Sequence, residues 1–335
     1  MDKPAKKHRR RRQTGRRPAP VLAALDLGTN NCRLLIASPG REGSIRIVDS
    51  FSRIVKLGEG VAHSGVLSEA AIERTVAALK ICAAHLERHG VRHIRAVATE
   101  ACRQASNAHV LVARAAAEAG IALTVISAAE EARLAALGCA PLIGEGFDGA
   151  LVFDIGGGST EVIWLRHENG LPLIVQFASV PLGVMSLAEG ALGAVQRPDF
   201  AAMQAVMLSR FAAVRQQMDR VGSFDLARYH LLGTSGTVTT LAGVALKLPR
   251  YVRARVDGSW HDSATIMQVA QELVGLDRKG RAAQGCIGNE RADLIVPGCA
   301  IFTAIHETWP CSRLRVADRG LREGILRELM AEARR

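Results

Sequence analysis

An aspartate followed by a glycine two residues later stands at the end of two apolar runs in this chain. Residues 22–37 (LAALDLGTNNCRLLIA) align with residues 150–165 (ALVFDIGGGSTEVIWL), and in this alignment Asp26 coincides with Asp154. Glycine lets backbone N–H groups approach an anion, and an aspartate can hold a divalent cation or its water. Because independent tight turns have no reason to share their flanking sequence, we interpret the segments as a duplicated strand–turn–strand unit. The repeat predicts two lobes that close on one phosphate chain.

A third glycine-rich segment, Gly233–Gly236, follows a predicted strand at residues 229–232 and precedes a helix predicted to begin at Thr237. The N-terminus of a helix offers unpaired N–H groups and the positive end of the helix dipole. A strand that enters such a turn is typical of an anion-binding site. The sequence therefore predicts a further phosphate-contacting turn in the second half of the chain.

Strands and helices alternate around these turns. Ser68 is predicted to cap a helix that ends near Gly90, because apolar residues recur between them at helical spacing. Similar patterns predict strands at residues 91–98, 121–126, 174–179 and 314–317, and helices at residues 107–120, 129–138, 200–221 and from Gly320 onward. The alternation predicts an α/β fold. The stretch 140–149, with its proline and three glycines, predicts a boundary between two lobes.

Most of the positive charge lies at the start of the chain. The formal net charge is +11, and residues 1–20 contain nine lysines and arginines and one aspartate. This segment has no apolar periodicity, which predicts a disordered basic arm. The arm either keeps the protein soluble or attracts a polyanion such as polyphosphate or RNA. Aromatic residues make up 4% of the sequence, so base stacking, and with it sequence-specific RNA binding, is not expected.

Deleting residues 1–20 separates the two roles of the arm. If the arm attracts polyanions, the deletion weakens the binding of long polyphosphate and flattens its salt dependence, because fewer counterions are released. Binding measured across a range of ionic strengths checks this prediction. An unchanged salt dependence would contradict the electrostatic role.

Length, cysteine content and hydropathy limit the classes of protein to which this chain can belong. A chain of 335 residues is long enough for two domains with substantial cores. Its seven cysteines are scattered without a C-x-x-C pair, which indicates the reducing cytoplasm rather than a disulfide framework. The apolar run 21–25 is too short to span a membrane, and the run 294–305 is expected to be broken by Pro297. No membrane segment is predicted.

Six motifs occur in a recognisable order, at residues 26–30 (DLGTN), 98–107 (ATEACRQASN), 126–133 (ISAAEEAR), 154–161 (DIGGGSTE), 232–238 (LGTSGTV) and 320–324 (GLREG). Their order resembles the Ppx/GppA family of exopolyphosphatases and guanosine pentaphosphate phosphohydrolases, within the actin-like ATPase superfamily. The resemblance covers residues 21–330. It implies an α/β fold of two actin-like (ribonuclease H-like) lobes flanking a phosphate-binding cleft. Lobe I is expected at residues 21–140 and lobe II at residues 141–319, with a helix at about 320–335 packing back on lobe I.

The resemblance also implies catalytic roles. It places the water-activating base on Glu131, the second glutamate of the EEAR motif. Glu130 remains an alternative, because adjacent residues face different ways on a helix and the spacing alone does not choose between them. Arg103 is expected to grip phosphate oxygens with its forked guanidinium group.

Three carboxylates are expected to hold the metal ion. In this interpretation Asp154 and Glu161 bind Mg²⁺ (or Mn²⁺) or its waters, and Asp26 faces them across the cleft. The phosphate oxygens are expected to contact short side chains and backbone amides of the glycine-rich turns, namely Gly28, Thr29, Asn30, Gly156, Gly157, Gly158, Ser159, Gly233, Thr234, Ser235 and Gly236.

The activity implied is Mg²⁺-dependent release of orthophosphate from inorganic polyphosphate, and the resemblance is compatible with a homodimer. The alternative activity is hydrolysis of the 5′-phosphate of guanosine pentaphosphate. A non-hydrolytic sensor of polyphosphate or an alarmone would need the phosphate turns but no base, and a kinase would transfer phosphate from ATP. Longer family members carry further C-terminal domains, and since this chain ends after the second lobe we expect limited processivity on very long polyphosphate.

Overall fold

Two β-sheets, each flanked by helices, organise the chain. We describe them from a computed structural model over residues 19–168, 171–190 and 199–334, so nearly all of the predicted basic arm lies outside the described residues. The first sheet has the order β3-β2-β1-β4-β5 and consists of β1 (Leu22–Leu27), β2 (Asn31–Pro39), β3 (Ile45–Ile54), β4 (His93–Ala98) and β5 (Leu123–Val125). The second has the order β10-β11-β9-β6-β7-β8 and consists of β6 (Gly149–Ile155), β7 (Thr160–Glu168), β8 (Leu171–Val180), β9 (Tyr229–Thr234), β10 (Trp260–Asp262) and β11 (Arg313–Ala317).

Helices connect and cover these strands. In the first half they are α1 (Val61–Ser64), α2 (Glu69–Arg88), α3 (Glu100–Gln104), α4 (Ala108–Ala119) and α5 (Ala128–Cys139). In the second half they are α6 (Val184–Ala188), α7 (Phe200–Val221), α8 (Ser235–Ala245), α9 (Arg253–Val256), α10 (Ser263–Gly275), α11 (Arg278–Ala282), α12 (Ile295–Thr308) and α13 (Leu321–Glu332). The predicted alternation of strands and helices is confirmed, and Ser68 caps α2 by accepting a hydrogen bond from the Ala71 amide at 3.2 Å.

The duplicated strand–turn–strand unit is also confirmed. The β1–β2 hairpin pairs Asp26 with Arg33, and the β6–β7 hairpin pairs Asp154 with Glu161 in the equivalent register. Each turn is closed in the same way, because the amide two residues after each aspartate donates to the carbonyl three residues further on, at 2.9 Å in both turns. The two units differ in the side chain opposite the aspartate, which is basic in the first sheet and acidic in the second.

Helix α5 lies between the two sheets, and α13 packs against it on the first sheet. On α5, Leu134 packs with strands of the first sheet, whereas Ala132 and Ala136 pack with strands of the second. Helix α13 packs on β1 and β2 and crosses α5 closely, since a Cβ placed on Gly324 would lie 2.0 Å from the Leu134 carbonyl oxygen. The residues expected to form the end of lobe I therefore contact both sheets, and the terminal helix lies on the first.

The expected break at Pro297 is wrong. Helix α12 runs from Ile295 to Thr308 without interruption, because Pro297 lies in its first turn, where a helix needs no N–H donor. None of the helices in the described part of the chain is long and apolar enough to cross a membrane. All seven cysteines are buried and unpaired, as their scattered positions predict.

Candidate active site

The two duplicated turns touch each other across the gap between the sheets. A Cβ placed on Gly157 would lie 3.1 Å from Cβ of Thr29, and one placed on Gly158 would lie 2.6 Å from Thr29 Oγ1. A side chain at Gly158 would therefore force the two turns apart. The glycines at these positions are required by the close approach of the second turn to the first.

The second turn presents its amides to the cleft. Its carbonyl groups are occupied, because the Val184 amide donates to the Gly156 oxygen at 3.0 Å and the Met185 amide donates to the Gly157 oxygen at 2.8 Å. Within residues 19–168, 171–190 and 199–334, the N–H groups of Gly157 and Gly158 have no hydrogen-bond acceptor. Successive unpaired N–H groups form a concave anion site. The turn is thus anchored through its oxygens and open to a phosphate through its nitrogens.

A cavity of about 130 Å³ lies between the sheets and gathers most of the predicted site. The residues expected there that line it are Asp26, Gly28, Thr29, Asn30, Glu131, Asp154, Gly156, Gly157, Gly158, Ser159, Glu161, Ser235 and Gly236. The amide oxygen of Asn30 is buried without a hydrogen-bond partner in the described structure. A buried polar atom without a partner is costly, so this side chain is suited to a ligand or water in the cavity.

The third glycine-rich segment differs from its prediction. Gly233 and Thr234 end strand β9, and neither lines the cavity. A Cβ on Gly233 would lie 2.5 Å from the Phe153 ring, so this glycine serves packing rather than phosphate binding. The Thr234 hydroxyl donates to the Arg319 carbonyl at 2.8 Å. Of this segment, Ser235 and Gly236 at the start of α8 line the cavity, and Thr234 lines only an adjoining cavity, because the strand continues two residues further than its apolar pattern predicts.

Three carboxylates line the cleft, of which Glu161 is buried and Asp26 and Asp154 are half-buried. Burial raises the pKa of Asp154 to about 6, with Arg33 opposing that shift and the charge of Asp26 adding to it. Burial and the charge of Asp154 raise the pKa of Glu161 to about 7, although the Ser179 hydroxyl donates to it at 2.7 Å. Burial also raises the pKa of Asp26. Ionisation of these carboxyl groups is therefore unfavourable, and a nearby cation would make it more favourable.

The donor set fits Mg²⁺ or Mn²⁺ shared with a substrate. Among the described residues, no three histidine, cysteine or acidic side chains converge as a complete metal cage. Magnesium is usually held by one or two carboxylates, several waters and substrate phosphates rather than by such a cage. Asp26 and Asp154, close enough to raise the pKa of Asp154 through repulsion, match that requirement.

Glu131 also lines the cavity, from the first turn of α5. Its carboxylate accepts a hydrogen bond from Arg103 Nη1 at 2.6 Å, and 16% of its side chain is exposed. Burial, followed by the charge of Glu161, raises its pKa well above the ordinary value, while Arg103 opposes the shift. A carboxylate with a raised pKa is suited to accept a proton near neutral pH.

Arg103 is placed differently from the phosphate fork that we expected. Its Nε donates to Glu100 Oε2 at 2.9 Å, and its Nη1 donates to the Ile126 carbonyl at 3.1 Å as well as to Glu131. It does not line the cavity. Arg103 is thus held between Glu131 and the buried Glu100, an arrangement suited to positioning Glu131.

The structure distinguishes the two adjacent glutamates. Glu130 faces away from the cavity and accepts hydrogen bonds from Arg95 at 2.5 Å and Arg133 at 2.7 Å. The bonds to Arg133 and then Arg95 lower the pKa of Glu130 to about 2. A carboxylate so strongly stabilised in its ionised form is a poor base at neutral pH. Glu131 alone of the pair lines the cleft.

Three charged residues that line the cavity were not predicted as site residues. Glu100 could have been found from its place in the second motif, three residues before Arg103. Arg33 could have been found from the predicted hairpin, which pairs it with Asp26. Arg291 precedes α12 in a segment with no local pattern, and only the fold brings it to the cavity.

Comparisons with known proteins agree with this architecture. The family model of the Ppx/GppA phosphatase family matches residues 36–333. Exopolyphosphatase 2 of Mycobacterium tuberculosis is 34% identical over 319 residues, covering 91% of this chain and 97% of that protein. The crystal structure of the Aquifex aeolicus member of the Ppx/GppA family is 27% identical, with a TM-score of 0.76 over 95% of this chain and 100% of its own.

A crystal structure of an exopolyphosphatase from Cytophaga hutchinsonii, 24% identical with a TM-score of 0.80, covers 93% of this chain and 98% of its own and supports the fold alone. The predicted α/β fold with two actin-like lobes is therefore confirmed. Because the family model spans most of the sequence and the mycobacterial relative is matched along nearly its whole length, the chain belongs to the Ppx/GppA phosphatase family and is a phosphoanhydride hydrolase.

Proposed function

We propose that the protein releases orthophosphate from the end of inorganic polyphosphate, using water activated by Glu131. The observation that carries the proposal is a single cavity that contains both a turn with unpaired amides and a buried glutamate with a raised pKa. The first can bind a terminal phosphate, and the second can accept a proton from water. The activity named for the M. tuberculosis relative supports polyphosphate as the substrate.

The chain's own residues account for the steps of hydrolysis. The amides of Gly157 and Gly158 bind oxygens of the terminal phosphate, and Thr29 contacts it from the first turn. Glu131 accepts one proton from water as the water oxygen forms a bond to phosphorus. The bridging P–O bond breaks, and the shortened polyphosphate leaves with the bonding electron pair. Positioning and charge stabilisation carry most of phosphoryl transfer, so a rigid cleft is the main requirement.

Asp26 and Asp154 would hold Mg²⁺ or Mn²⁺ together with waters and substrate oxygens, with Glu161 as the neighbouring carboxylate. When bound, the ion neutralises charge on the phosphate oxygens. Because the carboxylates repel one another in the cleft, its binding also stabilises their ionised forms.

Replacing Asp154 with asparagine tests the metal site. We expect the Mg²⁺ concentration for half-maximal activity to rise at least about tenfold, since the variant loses one of the few protein ligands available. Chelation of the metal should abolish activity in wild type. Asp148→Asn, which precedes the same strand but pairs with exposed Arg228, is the matched control and should keep the wild-type requirement. An unchanged Mg²⁺ requirement in the Asp154 variant would contradict this site.

Further phosphates of a chain have a route out of the cleft that is lined by arginines and also by carboxylates, among them Asp318 and Glu323. Arg33 and Arg291 line the cleft itself. An adjoining cavity of about 440 Å³ shares both residues and is also lined by Arg253, Arg319 and Arg322. Arg253 and Arg319 are paired with acidic side chains, so they contribute less charge than their number indicates.

Phosphate release from a panel of substrates tests the proposed function. Wild-type protein should release Mg²⁺-dependent orthophosphate from polyphosphates of several lengths, with guanosine pentaphosphate and ATP assayed beside them. A higher kcat/KM for guanosine pentaphosphate would favour the alternative substrate. Binding without release from any substrate would support the sensor instead.

A further inference from the structure

Four charged side chains form a closed ring at the start of α5, outside the cavity. Arg95 donates through Nη2 to Glu130 Oε1 at 2.5 Å and through Nη1 to Glu328 Oε2 at 2.7 Å. Arg133 completes the ring, with Nε 2.7 Å from Glu130 Oε2 and Nη1 2.6 Å from Glu328 Oε1. Each arginine thus bridges both glutamates, and all four carboxylate oxygens are engaged.

The ring joins three elements that are distant in sequence. Arg95 lies on β4, Glu130 and Arg133 lie on the first turns of α5, and Glu328 lies on α13. The exposed fraction of the four side chains ranges from 24% to 44%. An isolated pair at this exposure contributes little stability, whereas a network with bidentate arginines fixes geometry. The ring is therefore better suited to orient α5 than to stabilise the fold.

The first turn of α5 also carries Glu131. Consecutive helical residues point roughly 100° apart, so Glu130 can face the ring while Glu131 faces the cavity. Arg103 donates to Glu131, and the Ser127 hydroxyl caps the helix by accepting from the Glu130 amide at 3.2 Å. The first turn is thus held through both of its glutamates.

The ring adds to the contacts that hold the start of α5 on the first lobe. Helix α5 begins three residues after the end of β5, and the Ile126 amide donates to the Ala98 carbonyl of β4 at 3.1 Å, whereas the rest of the helix packs on both sheets. β4 is a strand of the first sheet and α13 packs on that sheet, so the ring ties the start of α5 to the first lobe. The unpaired amides of Gly157 and Gly158 belong to the second lobe. The ring is therefore one of the contacts that set the distance between Glu131 and a phosphate bound at those amides.

We infer that Arg95 and Glu328 are positioning residues, which hold the first turn of α5 and thereby place Glu131 against the water that attacks the terminal phosphate. The inference rests on the proposed function, because it assigns the ring an effect through Glu131. A displacement of about 1 Å at a reacting group can lower a rate about 100-fold, so a modest loosening of the helix has a measurable effect.

Arg95→Met and Glu328→Gln test the ring by removing one member each. We expect kcat for orthophosphate release from polyphosphate to fall about tenfold, with KM within about twofold of wild type, because the phosphate-binding turns are untouched. Arg114→Met is the matched control. Arg114 also bridges two glutamates, Glu69 and Glu118, and is exposed to a similar extent, but it lies on α4 away from the cleft. The control should keep the wild-type kcat, and melting temperatures should show all three variants folded.

A double variant shows whether the ring acts through Glu131. If it does, Arg95→Met should lower the residual kcat of Glu131→Gln by less than about twofold, because there is no base left to misplace. An equal loss on both backgrounds, an effect on KM alone, or a kcat equal to that of the Arg114 control would overturn the inference. Full activity in Glu131→Gln itself would instead overturn the proposed function, so the two failures are distinguishable.

Discussion

Replacing Glu131 with glutamine is expected to lower kcat for orthophosphate release about 10²- to 10⁴-fold, the range typical for removal of a general base. The substitution keeps the size of the side chain and its capacity to accept a hydrogen bond from Arg103, but it removes the proton acceptor. Because the phosphate-binding amides belong to a different turn, polyphosphate should still bind. Release of orthophosphate under saturating substrate and equilibrium binding of polyphosphate measure the two effects separately.

Glu130→Gln is the comparison for this experiment because it changes the adjacent glutamate in the same way. Glu130 lies in the ring and not in the cavity, so its loss should cost about tenfold, much less than the loss of Glu131. A larger effect at Glu130 would contradict the assignment of the base. Equal and small effects at both positions would remove the glutamate-activated water from the mechanism.

The pH dependence of kcat follows from the same assignment. Glu131 acts as a base only when ionised, and burial together with the charge of Glu161 raises its pKa above 4.5. Activity should therefore be present above that raised pKa and be lost as the pH falls through it, at a higher pH than for an ordinary glutamate. The pH profile of the Glu131→Gln variant should lack this acid limb.

Gly158→Ala is expected to lower kcat/KM about 100-fold while the protein remains folded. The new methyl group would lie 2.6 Å from Thr29 Oγ1 and 3.3 Å from Glu100 Cγ, which forces the turns of the two lobes apart. A displacement of the turns by about 1 Å is enough to misplace a terminal phosphate relative to Glu131. Steady-state kinetics with polyphosphate and a melting temperature provide the measurement.

Gly275→Ala is the control for this substitution. Gly275 ends α10 with nothing within 4 Å of an added Cβ, and the same chemical change there should leave kcat/KM unchanged. If Gly158→Ala retained wild-type kinetics, the contact between the two turns would not belong to the working state. The proposed cradle around the terminal phosphate would then be wrong.

Local sequence features predicted much of the fold and part of the site. The matching flanks of Asp26 and Asp154 predicted the two hairpins, because strand pairing and tight turns depend on residues close together in the chain. Apolar periodicity and capping predicted α2 and α7 within one or two residues of their ends. Pro297 and the end of β9 were misjudged, because a proline is tolerated in a first helical turn and because a buried strand can continue into glycine and threonine.

The sequence by itself determined the family, the α/β class and the glycine-rich turns, since each depends on short motifs in a fixed order. Only the tertiary structure placed Glu131 in the cavity and Glu130 outside it, set Arg103 beside Glu131 and kept Gly233 out of the cavity. The physical reason is that burial and ion pairing arise between residues far apart in the chain. Arg95 and Glu328 are 233 positions apart, yet they meet in the ring, where Arg95 and Arg133 occupy Glu130 while Glu131 faces the cavity.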